Sequence, residues 1–481
     1  MRLSSPFAVP FVLLTGSHAT PQVKIGKTTI TERDISTLQL DFFGGIPFVE
    51  PPLGKLRLQS PVLKTHLDIN SFNASDYGPG CLQPVRPGSD VPYPEDCLTI
   101  NVLRPSSLAQ NAKLAVLFWV YGGGFQGGAS SKFNGSAIVA QSVARGTPLI
   151  YVNFNYSLGP LGFPQGQEAA DQKALNLALK DEIAALEWVQ KNIGAFGGDN
   201  NKVTVFGESA GAIMFSILFL NSPLENLARG VILESGSQAT SFNFPPQRRE
   251  NDWKNFVLGV TSCAVNAGSQ HSFDCFRNAN TSEILPGILN AISKAPEQFA
   301  FDPTIDGHGT LFAFPSINSE AQIRDSIIAN LSPPVVPESR LENTVDKILQ
   351  LYPDIPALGS PFITGNETFG LSIGDILFNS QRRFFQQTAA RAGVKSWGYI
   401  FTQPQAAQIP SLGITHISEV VYVYGMPKDQ SPSSLKLSAM MIDYWVSFAT
   451  SLNPNDGKGM QRMFLILILL PVRYHKYSTD S

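Results

Sequence analysis

Charge is scarce in this sequence. Lys, Arg, Asp and Glu together make up 15% of its 481 residues, against roughly 25% in an average soluble protein. The 35 basic and 38 acidic side chains leave a formal charge of −3, and no run of basic residues exceeds two. There is thus no electrostatic footprint for a phosphate backbone, and nucleic acid is excluded as a partner. Long apolar runs are missing as well. The longest, Met463 to Val472, is ten residues and contains Pro471, whereas a membrane-spanning helix needs about 20; no transmembrane segment is expected. Histidine and cysteine number only six and four. No His/Cys/Asp cluster has metal-ligand spacing, so neither a metal nor an organic cofactor is implied. With 43% hydrophobic residues, the chain has the apolar content of a folded protein rather than a disordered one.

The first residues combine Arg2, an apolar stretch from Phe7 to Leu14, and Ser17-His18-Ala19. Small residues at −3 and −1 of a cleavage point are the pattern of a secretory signal, expected over 1–19. The four cysteines, Cys81, Cys97, Cys263 and Cys275, suit the oxidising compartment that follows. Three pairings are possible; Cys81 with Cys97 and Cys263 with Cys275 is the expected one, because each closes a short loop. Six Asn-X-Ser/Thr sequons begin at Asn73, Asn134, Asn155, Asn280, Asn330 and Asn366 and point to a secreted glycoprotein. Asn155 ends an apolar run and is expected to serve the fold instead.

No repeat, low-complexity linker or charge run marks a domain boundary, so one unit over 20–481 is expected. Short apolar runs at Leu114 to Val120 and Leu149 to Phe154 read as buried strands, as do Lys202 to Phe206 and Val231 to Leu233. Between Asp171 and Ile193, Leu175, Leu179, Ile183, Leu186, Val189 and Ile193 recur every three or four residues, the stripe of one helix. Ala212 to Leu220 is a second helix candidate, and Trp397 to Phe401 is strand-like. The alternation predicts an α/β fold with an open, mostly parallel sheet covered by helices on both faces.

Gly207-Glu208-Ser209-Ala210-Gly211 lies between a strand and a helix. That context is what a nucleophilic serine needs, since a sharp strand-to-helix turn lifts its oxygen out of the sheet and flanking glycines permit the crowding. The helix beginning after Ser209 points its N–H groups toward any oxyanion formed there. Tyr121-Gly122-Gly123-Gly124-Phe125 follows a strand and can offer main-chain N–H groups unobstructed by side chains. A serine nucleophile also needs a base. Of His18, His66, His271, His308, His416 and His475, His416 is the best placed, in an expected loop downstream of the serine.

These residues resemble the type-B carboxylesterase/lipase family, α/β-hydrolases that include fungal lipases and cholinesterases. The resemblance covers most of residues 40 to 450. It is carried by Phe43-Gly44-Gly45-Ile46-Pro47, Glu50-Pro51-Pro52-Leu53-Gly54, Glu95 to Val102, Tyr121 to Phe125 and Phe206 to Ala212. It implies a secreted hydrolase of small-molecule or lipid esters, with Ser209 as the acylated nucleophile, His416 as general base, and Gly123, Gly124 and Ala210 as oxyanion donors. It supports both disulfides. Lipases of the family carry a long helical flap between the first two bridging cysteines. Here only fifteen residues lie between Cys81 and Cys97, with prolines at 84, 87, 92 and 94 that oppose a helix, so an esterase of soluble or moderately sized esters is expected.

The resemblance breaks at the triad acid. Gly307-His308-Gly309-Thr310-Leu311-Phe312 puts His308 where the family has Glu, and a loop and strand that should precede it are absent. One strand of the sheet is therefore in question. Asp302, Asp306 or a remoter carboxylate could substitute, and Glu419 offers His416 another contact. Residues 370–375 also look shortened, and the tail 457–481 is atypical. Two alternatives follow: a truncated or misassembled coding sequence, or a catalytically impaired member that binds without turnover.

Overall fold

The computed structural model describes residues 22–84, 93–221, 224–238, 240, 245–295, 300–304, 324, 328, 338–350, 378–405 and 414–460. The signal sequence, His308, the 306–312 and 370–375 segments, the sequons at Asn330 and Asn366, and the tail beyond 460 lie outside these residues. Ten strands are described: β1 (Gln22–Ile25), β2 (Thr28–Thr31), β3 (Arg33–Ile35), β4 (Leu40–Pro47), β5 (Ser71–Asn73), β6 (Thr99–Pro105), β7 (Leu114–Val120), β8 (Leu149–Phe154), β9 (Gly198–Glu208) and β10 (Gly230–Glu234). Strands β1, β2 and β5 form a small sheet, and the other seven a large one in the order β10-β9-β7-β8-β6-β4-β3.

The pairings β10–β9, β9–β7 and β7–β8 are parallel, while β8–β6, β6–β4 and β4–β3 are antiparallel. All strands but β6 and β3 thus run the same way. The parallel part falls where the sequence is continuously apolar. Leu114-Ala115-Val116-Leu117-Phe118-Trp119-Val120 is buried from its second residue on, as a strand covered on both faces must be. Helix Ala210–Asn221 packs on β9 and β10, helix Leu177–Asn192 on β9, and helices Ser136–Ala144 and Pro432–Ser451 on the sheet and on each other. Arg145, at the end of the first of that pair, reaches Asp456 at 2.8 Å and Asp443 at 3.5 Å. Pro432–Ser451 starts on Ser431, whose hydroxyl accepts from Ser434 N, with Pro432 in the first turn.

Two expected elements differ. The stripe from Asp171 to Ile193 is not one helix: Gly166–Asp171 stops, Lys173 and Asn176 take φ of 55° and 56°, and Leu177–Asn192 begins afresh. Left-handed backbone cannot continue a right-handed helix, although Leu175 in the break stays buried. Trp397 to Phe401 lies in no described strand. It packs by alternate aromatics instead, Trp397 on Phe448, Tyr399 on Trp445 and Phe401 on Tyr422. Both expected disulfides are present, Cys81–Cys97 and Cys263–Cys275. No helix among the described residues is long and apolar enough to cross a membrane.

Candidate active site at the carboxyl ends of the central strands

Ser209 stands between the last residue of β9 and the first of helix Ala210–Asn221, at φ +53°. A non-glycine residue pays about 1–2 kcal/mol for this conformation, so the surroundings must hold it. Ser209 N donates to Glu234 O at 2.9 Å, and Ile213 N donates to Ser209 O at 2.9 Å, opening the helix. The flanking glycines are sterically required. A Cβ on Gly211 would lie 2.2 Å from Val120 O, and one on Gly207 would lie 2.8 Å from Gly211 C.

The glycine loop after β7 presses directly on this turn. A Cβ on Gly122 would meet Ser209 Cβ at 2.7 Å, and one on Gly123 would meet Gly127 O at 1.9 Å. Gly124 and Phe125 follow at φ of 61° and 62°. Gly123 O accepts from Gln126 N and Gly127 N, and Phe125 O from Gly159 N, which ties the loop down through its carbonyls. The N–H groups of Gly123, Gly124 and Ala210 have no hydrogen-bond acceptor among the described residues. Fixed donors left uncommitted beside a serine can receive an oxyanion.

His416 precedes the short helix Val420–Val423, and its side chain is 46% exposed. Its Nε2 lies 3.1 Å from Glu208 Oε1; no hydrogen bond joins it to Ser209 among the described residues. Burial against the site pushes the imidazole below its ordinary pKa, and the charge of Glu419 opposes that. Around it lie three buried carboxyls. Glu208 and Glu234 end adjacent strands and stand opposite each other in register. Glu234 accepts from Trp445 Nε1 at 2.6 Å, and Glu419 from Ser235 Oγ at 2.7 Å. Burial, then the charges of Glu419 and Glu234, drives Glu208 well above the usual carboxyl range. Glu234 is raised by burial and by Glu419, with the Trp445 hydrogen bond opposing.

Sequence reasoning brought Ser209, His416 and the glycine loop to one place but missed Glu208 and Glu234. The signal was available: Val205-Phe206-Gly207-Glu208 and Val231-Ile232-Leu233-Glu234 both end an apolar strand on a carboxylate, at the strand ends where open α/β sheets place their sites. Asp302 is committed elsewhere, with its carboxylate 3.2 Å from Arg249 Nη2. His66 and His271 are exposed on the surface, and Asp306 and His308 lie outside the described residues. A cavity beside the first disulfide, lined by Arg57, Glu95 and Asp181 among others, does not include Ser209 or His416. No group of His, Cys, Asp and Glu suited to a metal ion occurs among the described residues.

Comparison with known proteins gives the family and the fold. A family model described as "Carboxylesterase family" matches residues 20–332 and 317–465. The two stretches overlap at residues 317–332. Lipase 1 of Geotrichum candidum is 29% identical over 497 aligned residues, covering 88% of this chain and 86% of its own. That span exceeds the 481 residues present here, so the lipase carries insertions relative to this chain. Secreted lipase 1 of Botryotinia fuckeliana is 30% identical, covering 95% of this chain and 90% of its own. Among solved structures, a PNB esterase superposes with a TM-score of 0.73 at 25% identity, over 91% of this chain and 92% of the esterase. EstA of Aspergillus niger shares the fold, with a TM-score of 0.77 at 24% identity, over 92% of this chain and 91% of its own.

Proposed function

Because the chain belongs to the carboxylesterase family and is a carboxylic ester hydrolase, we propose that it is a secreted serine esterase working through an acyl-enzyme. Ser209 Oγ attacks the ester carbonyl while His416 takes its proton; the Gly123, Gly124 and Ala210 N–H groups hold the tetrahedral oxyanion. His416 then protonates the departing alcohol, and water enters by the same route to release the acid. The observation that carries this reading is the Ser209 turn, held at φ +53° beside three uncommitted amides. Its test is labelling by an organophosphonate, read by mass spectrometry of the Ser209 peptide. Label that disappears in Ser209→Ala is expected; folded secreted protein that takes no label would overturn the reading.

The working unit is one hydrolase domain spanning 20–481, with an atypical tail at 457–481, released after removal of residues 1–19. Asn73, Asn134 and Asn280 are exposed and serve as glycan acceptors. The Cys81–Cys97 bridge closes a sequence separation of only 16, too short for a long amphipathic flap. This favours soluble esters over oil droplets. Hydrolysis rate should rise smoothly with short-chain ester concentration, and a jump at the solubility limit of a triglyceride would reverse that preference.

A further inference from the structure

The glycine loop is held in shape by a second segment, Tyr156-Ser157-Leu158-Gly159, which follows β8. The Tyr156 hydroxyl donates to Tyr121 O at 2.8 Å, and the two rings stack at 4.5 Å between centroids. Three residues on, Gly159 N donates to Phe125 O at 2.8 Å. This brace therefore grips residues 121 and 125, on either side of the Gly123 and Gly124 amides. Its own middle is held from helix Leu177–Asn192, where Asp181 Oδ2 accepts from Ser157 N at 3.0 Å. Tyr156, Ser157, Leu158 and Asp181 are all buried.

Burial drives the Asp181 carboxyl up to about 6, against the backbone and side-chain hydrogen bonds of Ser157 and the charge of Lys180. Cations in its neighbourhood are committed elsewhere. Lys180 Nζ donates to Lys173 O at 2.8 Å, and Arg57, which lines the same cavity as Asp181 and Ser157, is bridged to Glu95 at 2.7 Å. That cavity has about 30 Å³ of free space, room for water and little else. Desolvating such a carboxyl opposes folding, and the contact Asp181 does make is aimed at the brace. Glu182, the next residue of the helix, is equally buried, yet neither of its carboxylate oxygens is hydrogen-bonded among the described residues.

We propose that Asp181 is a positioning residue for the oxyanion loop, fixing through Ser157 where Tyr156 and Gly159 hold the Gly123 and Gly124 amides. It touches no reacting atom. The inference rests on the reading of Ser209 as nucleophile and of these amides as its oxyanion donors. Without the acceptor, Ser157 N–H is left buried and unpaired, and the brace must move to satisfy it. That movement reaches the loop through the Tyr121 and Phe125 carbonyls, and a displacement of about 1 Å can cost about 10²-fold in rate. The brace uses an acceptor oxygen rather than a charge, so an amide at this position serves as well.

The test is hydrolysis of a p-nitrophenyl ester by Asp181→Ala, Asp181→Asn and Glu182→Gln. Asp181→Ala should lower kcat by about 10- to 100-fold with KM within about threefold. Asp181→Asn, which keeps an acceptor for Ser157 N–H, and Glu182→Gln should both stay within about threefold of the wild-type kcat. A wild-type kcat in Asp181→Ala, a loss confined to KM, or a loss shared equally by Asp181→Asn or Glu182→Gln overturns the proposal. Hydrogen exchange supplies a readout that needs no turnover. The Gly159 amide should exchange faster in Asp181→Ala than in the wild type or Asp181→Asn, and unchanged exchange there also overturns the proposal. Failure of the nucleophile reading is seen separately, as absence of phosphonate label at Ser209 in the wild type. Should Asp181→Ala not fold, Asp181→Leu fills a similar volume without an acceptor and carries the same expectations.

Discussion

Ser209 and the glycine loop hang from β9 and β7, adjacent buried strands laddered from Val116–Val203 to Val120–Gly207, whereas His416 stands on a loop between exposed Ile414 and Ile417. On the serine side, geometry is enforced by what cannot fit: backbone atoms lie 1.9 to 2.2 Å from where Cβ atoms of Gly123 and Gly211 would be. On the histidine side, nothing comparable confines the ring. Its position comes from packing between segments distant in sequence, with Phe378 at 5.8 Å between ring centroids and Glu208 across the site. A rigid half and an adjustable half meet at one pair of atoms.

The sharpest way to probe the rigid half is Ser209→Gly. Hydrolysis should fall by at least about 10⁴-fold, while the protein gains about 1 kcal/mol because glycine accepts φ +53° freely. Chemical denaturation beside an esterase assay checks both, and a loss of stability would mean that the elbow is not strained. Gly211→Ala should do the opposite to the fold, costing about 3 kcal/mol through the clash with Val120 O; an unchanged melting temperature would show that the start of the helix can move away from β7.

A subtler contrast lies in pH. Glu182, in the helix packed on β9, is fully buried with neither carboxylate oxygen hydrogen-bonded among the described residues, and burial raises it well above its ordinary value of 4.5. The folded state therefore holds a proton that the unfolded chain has released above about 4.5. Stability falls as pH rises through that range, by up to about 1.4 kcal/mol per unit. Glu182→Gln should flatten the slope between pH 5 and 8 in thermal melts, and a parallel curve would exclude Glu182 as its source. The smallest expected effect is in hydrogen exchange. Amides of β7 and β9 should exchange only on global unfolding, and those of Trp397 to Phe401, which have no backbone hydrogen bond among the described residues, much sooner. Equal protection would place that segment in the rigid half.

The same division explains what could be read from the sequence. Gly207 to Gly211 and Tyr121 to Phe125 are contiguous, and the apolar runs of β7 to β10 announce their strands by local composition. The two disulfides followed from short spacing. The break at Lys173 to Asn176 went unseen because buried Leu175 preserves the apolar period while the backbone turns left-handed. Trp397 to Phe401 shows strand alternation because alternate side chains do pack, on helix aromatics rather than within a ladder. The Glu208–His416 contact joins residues too far apart in the chain for spacing to reveal, and only the register of β9 with β10 places Glu234 beside Glu208.

Asn155 heads a sequon, Asn155-Tyr156-Ser157, yet its side chain is wholly buried. Its Oδ1 accepts from Ser130 N, and its Nδ2 donates to Pro79 O and Cys97 O. Since that nitrogen is the atom a glycan would occupy, sugar at Asn155 and the native fold are mutually exclusive. For a chain threading into a glycosylating compartment, maturation is then a race. Closure of the Cys81–Cys97 bridge, which positions one of the acceptor carbonyls, has to hide Asn155 before a transferase finds it, and molecules that lose the race are diverted from the folded pool. Expression yield in a heavily glycosylating host, compared for wild type and Ser157→Ala, would report the odds.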